Sequence, residues 1–335
     1  MPTEPTTISS VALLIAETLE THYHVAPTPL FRQAGLDLAK ISDANSRINR
    51  SKIMTLWDLA AAATGDPCIG LVAGFNIRPT SYYALSYSWL ASRTLLEALE
   101  RLIRYYHVIV TIPLDLSIRK KTESYVLEVV YPDPDYAAPP IALDSFLASI
   151  VKLCRSASSD AFRPQEVRIA HEEMGDAATY RKLFDAPVHF SAGTNALYFD
   201  RKALDALLPG GNLALAQIND KAAEDYLDSL DPDKVASEVR RLLLKLLPAG
   251  DANQQQIASR MHRSLSKLQR QLQAEGTNYM EIRENTRQSL GEQYVREQKL
   301  SMNEIAFLLG FSDQSNFSRA FKRWTGVTPR QFQGD

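Results

Sequence analysis

Cysteine is scarce in this chain. Only Cys68 and Cys154 occur in 335 residues. They are too few and too far apart for a metal cluster or a disulfide framework, so both are expected as buried small hydrophobes. Long apolar runs are missing too. VALLIA, starting at Val11, is among the longest, far short of the roughly 20 residues that a membrane helix needs. The N-terminus carries Glu4, no basic segment and no signal-peptide pattern. The expectation is a cytoplasmic protein that does not enter a membrane. Signatures of catalysis are absent as well: no glycine-rich phosphate loop, HExxH helix or Ser-His-Asp spacing stands out. The His171-Glu172-Glu173 cluster reads as a solvated strand end rather than a metal site. No enzymatic activity, cofactor or metal is expected.

Net charge is small, −2, but it is unevenly placed. From Pro232 onward there are 16 Lys and Arg against 11 Asp and Glu, and before it 21 against 28. A basic C-terminal third on an acidic remainder suits a nucleic-acid-binding tail domain.

The length favours two domains. The first half opens with helical patterns. Val11, Leu14, Ile15 and Leu19 share one face, as do Ile53, Leu56 and Leu59 before a stop at Gly65. TLLEALERLIRYYHVIV begins with a capping box, Thr94 to Glu97. LDLSIRKKTESYVLEVVY then alternates on both sides of a polar turn, as an antiparallel hairpin does. A helix at IALDSFLASIVKLC, a strand at EVRIAH, a helix at DAATYRKLFD and strands near VHF and ALYFD follow. This mixture predicts an α+β domain over residues 1–208. LLPGGN, residues 207–212, breaks the pattern, and 209–231 is expected to be a linker or hinge, although NLALAQINDKAAEDYLDSL reads as a helix. Residues 232–335 are expected to be all-α.

Within that last part a unit occurs twice. Ile257 and Ile305 are 48 positions apart, as are Ser264 and Ser312, while Leu268 and Phe317, Arg270 and Arg319, and Leu272 and Phe321 are 49 apart. Each copy has a short helix, a turn and a longer helix: a helix-turn-helix, twice. Ser301 and Glu304 form a capping box, Gly310 suits the end of a helix, and Ser264 and Ser312 are expected N-caps. The longer helices have two faces. Leu265, Leu268 and Leu272, and then Phe317, Phe321 and Trp324, point to a core. Opposite them lie Ser266, Lys267, Gln269, Arg270 and Gln273 in the first copy, and Gln314, Ser315, Asn316, Ser318, Arg319 and Lys322 in the second. Such side chains donate to base edges and phosphates. One such helix would pass for a solvated face; two in register, both with Arg at the same place, point to DNA.

These residues carry a family likeness. IAFLLGFSDQSNFSRAFKRWTGVTPRQFQ resembles the signature of the AraC/XylS transcription regulators, and the last hundred residues resemble their DNA-binding domain. In the first copy His262-Arg263 replace the usual turn glycine. The resemblance implies two helix-turn-helix units joined by a long helix over GTNYMEIRENTRQSLGEQYVREQ, with recognition helices in successive major-groove turns about 34 Å apart. It places base contacts at Ser266, Gln269 and Arg270, and at Ser315, Asn316 and Arg319. GDPCIGLVAG, TLLEALERLIRYY and RPQEVRIAHEEMGDAATYRKLFDAPVHFSAGTNALYFDRKAL are similar to the regulatory domain of a subgroup with ornithine- and virulence-type regulators. That subgroup is not expected to share the small sugar-binding β-barrel of the arabinose regulator.

The function expected is sequence-specific transcription regulation under control of a small organic effector. The partners implied are double-stranded DNA, the effector, RNA polymerase and a second copy of the chain; activation and repression stay open. Aromatic and polar residues at Tyr82, Tyr83, Tyr87, Trp89, Tyr105 and His107 are candidates for the effector site, with plain core as the alternative. A repair enzyme fused to this module would need a zinc-bound cysteine cluster, which two isolated cysteines cannot supply. A regulator without ligand, governed by its abundance or a protein partner, remains an alternative.

Overall fold

In the computed structural model, residues 4–41, 43–230, 235–247 and 252–334 are described. The chain divides into two compact units, Met1–Leu227 and Asp228–Asp335.

The first unit is α+β. It begins with β1 (Thr6–Ile8), α1 (Ser10–Thr21), α2 (Pro27–Gln33), β2 (Arg47–Asn49) and α3 (Arg50–Thr64). There follow α4 (Ile69–Phe75), α5 (Tyr83–Leu90), α6 (Leu95–Tyr105), β3 (Asp115–Lys120) and β4 (Ser124–Val130). Next come α7 (Pro140–Ala157), β5 (Glu166–Arg168), α8 (Ala177–Phe184), β6 (Val188–His189), β7 (Asn195–Asp200) and α9 (Arg201–Asp205). Strands β1 and β2 pair antiparallel on their own, and the others form one sheet in the order β3-β4-β7-β5-β6. Neighbours are antiparallel except β5 and β6, which are parallel. The β3–β4 hairpin is the one that the alternating sequence predicts. Its outer strand ends on exposed Arg119 and Lys120, charges that discourage pairing with another edge.

The sequence GDPCIGLVAG acquires a structural reason here. A Cβ on Gly70 would lie 1.9 Å from the carbonyl oxygen of Ile141, and one on Gly74 would lie 2.4 Å from that of Ser145. Helices α4 and α7 therefore cross at a distance that no side chain allows. Cys68 and Cys154 are buried and free. Burial pushes the Cys68 thiol up to about 11 and that of Cys154 higher still, so both behave as small core groups.

Residues 209–231 need a correction. Leu213–Leu230 is a continuous 18-residue helix, α10, and it is bonded into the first unit rather than left as a free linker. Ala216 and Ala223 are fully buried. Asp220 accepts from Ser88 and from Arg101, and Tyr226 donates to the carbonyl of Asn45 at 2.6 Å. The proline and glycines of LLPGGN end one element without detaching the next. The last three residues of α10 fall in the second unit, and residues 231–234 lie outside the described ones.

The second unit is helical throughout its described residues: α11 (Val235–Leu246), α12 (Gln254–Arg260), α13 (Leu265–Ala274), α14 (Tyr279–Glu297), α15 (Met302–Leu308), α16 (Gln314–Thr325) and α17 (Pro329–Gly334). Residues 248–251, which follow α11 and its last described neighbour Leu247, lie outside them. Two apolar clusters hold the unit. One gathers Leu243, Ile257, Leu268, Leu272 and Ile282, and the other Val295, Ile305, Leu309, Phe317 and Phe321. Leu290 on α14 packs against both. Each half therefore has its own small core, with the long helix shared between them.

Candidate functional site

The two helix-turn-helix copies differ by one residue, and the structure locates it. Helices α12 and α15 are built alike, each with a complete capping box: Asn253 with Gln256, and Ser301 with Glu304. Past each short helix one residue takes a left-handed backbone, His262 at φ 53° and Gly310 at φ 69°. Glycine enters this region freely, whereas a side chain costs about 1 kcal/mol or more. The first copy therefore keeps the turn and bears the cost. Ser264 caps α13, accepting from the Lys267 N–H. In the second copy the cap is Asp313, which accepts from the Asn316 N–H. Ser312 is thus not the N-cap that the sequence suggested; it is the inserted residue. It donates to Asp313 at 3.0 Å and accepts from Asn316 at 2.7 Å.

The faces fall largely as their spacing predicts. Leu268, Leu272, Phe317 and Phe321 are fully buried. Ser266, Lys267, Gln269, Arg270 and Gln273 are exposed, as are Gln314, Ser315, Arg319 and Lys322. Asn316 and Ser318 are half-buried. Leu265 is a correction: at 38% exposure it is on the surface rather than in the core stripe, because the first residue of the helix projects beyond the packed cluster. Trp324 is only partly buried at the margin of its cluster.

Asn316 has work within the protein. Its Nδ2 donates to Ser312 and Asp313 at 2.7 Å each, and its Oδ1 accepts from Arg319 Nη2 at 2.6 Å. The amide thus links the cap to the guanidinium and aims it. The Asn316 N–H and the Ser312 hydroxyl hold the Asp313 carboxyl below its usual range. Arg287, which the sequence reading missed, steadies the same turn. It lies on α14, donates to the Gly310 carbonyl at 2.6 Å and stacks 4.5 Å from the Phe311 ring. Nothing in the local sequence around Arg287 announces this, since its partners are 23 and 24 positions away.

In the first unit the six aromatic and histidine candidates do not meet. Trp89 is buried in the core, with Nε1 donating to the Leu153 carbonyl at 3.2 Å. Tyr105 is buried and donates to Glu224 at 3.2 Å. Tyr83 packs on Tyr226, with ring centres 4.9 Å apart. Tyr87 is 48% exposed, and His107 is exposed and stacked on Tyr106. Tyr82 alone of the six lines the cavity found in this unit, which is about 90 Å³ in volume. Neighbours in sequence were dispersed by the turns of α5 and α6. The walls are Ile53, Met54, Trp57, Ile112 and Phe146, with Arg50 and Tyr131 supplying polar groups.

His171 also departs from expectation, for it is no solvated strand end. Its Nε2 lies 3.1 Å from Asp144 Oδ1, and Tyr180 donates to the other oxygen of Asp144 at 2.5 Å. Asp144 is 1% exposed. Burial alone would lower the histidine's pKa, but the hydrogen bond and charge of Asp144 outweigh it and the net shift is upward. A group whose folded pKa is raised contributes stability that is complete below its unfolded value and fades as pH rises through the folded one. As pH rises above about 6.5 the first unit should therefore lose part of its stability. Melting temperatures of the wild type and His171→Gln across that rise check this: the wild type should fall relative to the variant, and parallel curves would refute the pairing.

Among the described residues no group of His, Cys, Asp and Glu could hold a metal, and no helix is long and apolar enough to cross a membrane. Comparison with known proteins agrees with the two-unit division. Residues 25–208 match a family described as the arabinose-binding domain of AraC transcription regulator, N-terminal, and residues 257–335 match a helix-turn-helix domain family. The chain is 28% identical to the ornithine utilization regulator of Pseudomonas aeruginosa, over 94% of this chain and 93% of that one. It is 30% identical to the transcriptional regulator VirS of Mycobacterium tuberculosis, over 72% of this chain and 71% of that one. The solved structure of the regulator CdpR from Pseudomonas aeruginosa aligns with a TM-score of 0.41 at 20% identity, over 92% and 96% of the two chains.

Proposed function

Because the chain belongs to the AraC family of DNA-binding helix-turn-helix transcription regulators, we propose that it reads a specific DNA site with α13 and α16 under control of a small organic effector held in the first unit. The observation that carries the DNA half is the shared register. Arg270 and Arg319 sit 49 positions apart on exposed faces, each opposite a fully buried pair. A guanidinium in that place can bond a guanine edge bidentately, while Ser266, Gln269, Ser315 and the lysines bond phosphates or neighbouring bases. Asn316, tied to the cap and to Arg319, positions that arginine.

Site selection with Arg270→Ala and Arg319→Ala tests this. Each variant should stay folded and lose about 1–3 kcal/mol of base discrimination, roughly 5- to 150-fold, in its own half of the site. The two affected positions should lie about one helical turn apart. Unchanged preference in both variants would mean that the faces are wrongly assigned.

Effector control rests on the cavity of the first unit. Neither the sugar in the family's description nor the ornithine in a relative's name is carried over, since the walls are largely apolar. Action as a homodimer is also proposed. Leu207, Leu215 and Ile218 are exposed at 81%, 49% and 67%, and the last two are neighbours on one face of α10. Such residues suit a partner surface, and a second copy is the partner proposed. Contact with RNA polymerase and a cytoplasmic location complete the proposal.

A further inference from the structure

The cavity of the first unit has an unusual charge balance. Its lining contains one cation, Arg50, and neither Asp nor Glu. The Arg50 guanidinium donates through Nη2 alone, to the carbonyls of Tyr136 at 3.2 Å and Ala137 at 2.8 Å. No carboxylate pairs with it among the described residues, and its Nε and Nη1 hydrogens bond to none of them. Burial lowers its pKa, with the Tyr131 phenol as the group that opposes the shift. Arg50 is half-buried, and for a cation the partial loss of water without a counter-ion carries a cost. A polar group on the lining is buried and unsatisfied: Thr7 is 5% exposed, and its Oγ1 has no hydrogen-bond partner among the described residues. Buried hydroxyls are nearly always bonded, so such an exception asks for an explanation.

The remaining polar groups narrow the choice. Tyr131, whose hydroxyl burial pushes up to about 12, stays a neutral donor. The Tyr82 hydroxyl, also pushed up to about 12 by burial, faces Ser149. An α-amino acid or a diamine would bring an ammonium group, and no carboxylate lines the cavity to receive it. A phosphate dianion would leave one charge uncompensated. A sugar would leave most of its hydroxyls against Ile53, Met54, Trp57 and Phe146. At about 90 Å³ the space is smaller than the roughly 150 Å³ cavity known to hold benzene, so the body of the ligand must be short.

We propose that this cavity binds a small monocarboxylate with an apolar body, a short aliphatic acid, its carboxylate on Arg50 and its body against Trp57 and Phe146. The assignment rests on reading the first unit as the effector domain and adds the chemical class of the effector. The carboxylate supplies the missing counter-ion, and such charge-assisted bonds to arginine are among the strongest available.

Full-length protein is titrated with propionate, butyrate, valerate and hexanoate, and with the primary amide of each, following thermal melting and tryptophan fluorescence. At least one acid should raise the melting temperature and perturb the fluorescence, with its amide at least tenfold weaker. Arg50→Gln should weaken the acid tenfold or more. Ala142 also lines the cavity, and Ala142→Leu, which fills the space without touching the charge, should abolish the response, so the outcome does not depend on one variant's folding. Equal binding of acid and amide, no response to any acid, or wild-type affinity in both variants would overturn the proposal. Affinity for a selected DNA site, with and without the acid, judges the parent reading separately. An acid that binds through Arg50 without altering DNA affinity upholds the ligand class and removes effector control.

Discussion

Phe317→Ala should unfold the second helix-turn-helix and abolish DNA binding through that half. Phe317 is fully buried. Its ring centre lies 5.8 Å from Phe311 and 5.5 Å from Phe321, and Phe321 in turn meets Phe332 at 5.1 Å. Among the described residues, the buried part of this cluster is Val295, Ile305, Ala306, Leu309, Phe317 and Phe321. Removing a buried phenyl ring costs about 3–5 kcal/mol, comparable to the lower end of the roughly 5–15 kcal/mol that holds a whole domain together. Hydrogen exchange should show α15, α16 and the second half of α14 losing protection, while α12 and α13, in the other cluster, keep more of theirs. The contrast with Arg319→Ala separates packing from reading, since that variant should keep its protection and lose only base preference. Retention of a cooperative melt and native exchange in Phe317→Ala would show that this core is not what supports the recognition helix.

The second large effect is expected at α10. Asp220 accepts from the Ser88 hydroxyl, and the Arg101 Nε lies 3.2 Å from both of its oxygens. Arg101 is 8% exposed and is also bonded to Ser92 at 3.0 Å and to Glu97 at 3.5 Å. Truncating one partner of a buried ion pair leaves the other desolvated and under-compensated, typically at about 3–5 kcal/mol. Because Glu97 remains, Asp220→Ala should lie near the lower end, about 3 kcal/mol, measured by denaturant unfolding of the first unit. Arg101→Met removes the charge along with its partner's reason to be buried. The double variant should therefore be less unstable than the sum of the two single ones. Strict additivity would mean that the pair does not hold the helix.

How much of this was legible in advance depends on the range of the interactions concerned. The duplicated unit was open to reading because a cap, a capping box and a helix face are made by residues three or four apart. Ser301 with Glu304, and the stripe of Leu268 and Leu272, come out as their spacing requires. A limit appeared even there. The one-residue offset between the copies was visible, but whether Ser312 or Asp313 took the cap depended on the path of the turn, with Gly310 left-handed and Arg287 bonded to its carbonyl. The β3–β4 hairpin was readable from period-two alternation, and the tight crossing of α4 on α7 only afterwards, from Gly70 and Gly74.

The sequence by itself determined the helix-turn-helix pair, its exposed arginines, the α+β character of the first unit and the basic tail on an acidic body. Tertiary structure decided which distant polar groups meet. It brought His171 to Asp144, Arg101 to Asp220, and Arg50 to an apolar cavity that holds Tyr82 but none of the other five candidates. Local patterns record how a segment satisfies its own backbone and which face it turns inward. They carry no record of what lies opposite that face, because a buried pair or a cavity wall is assembled from segments that only the packing of the whole unit brings together.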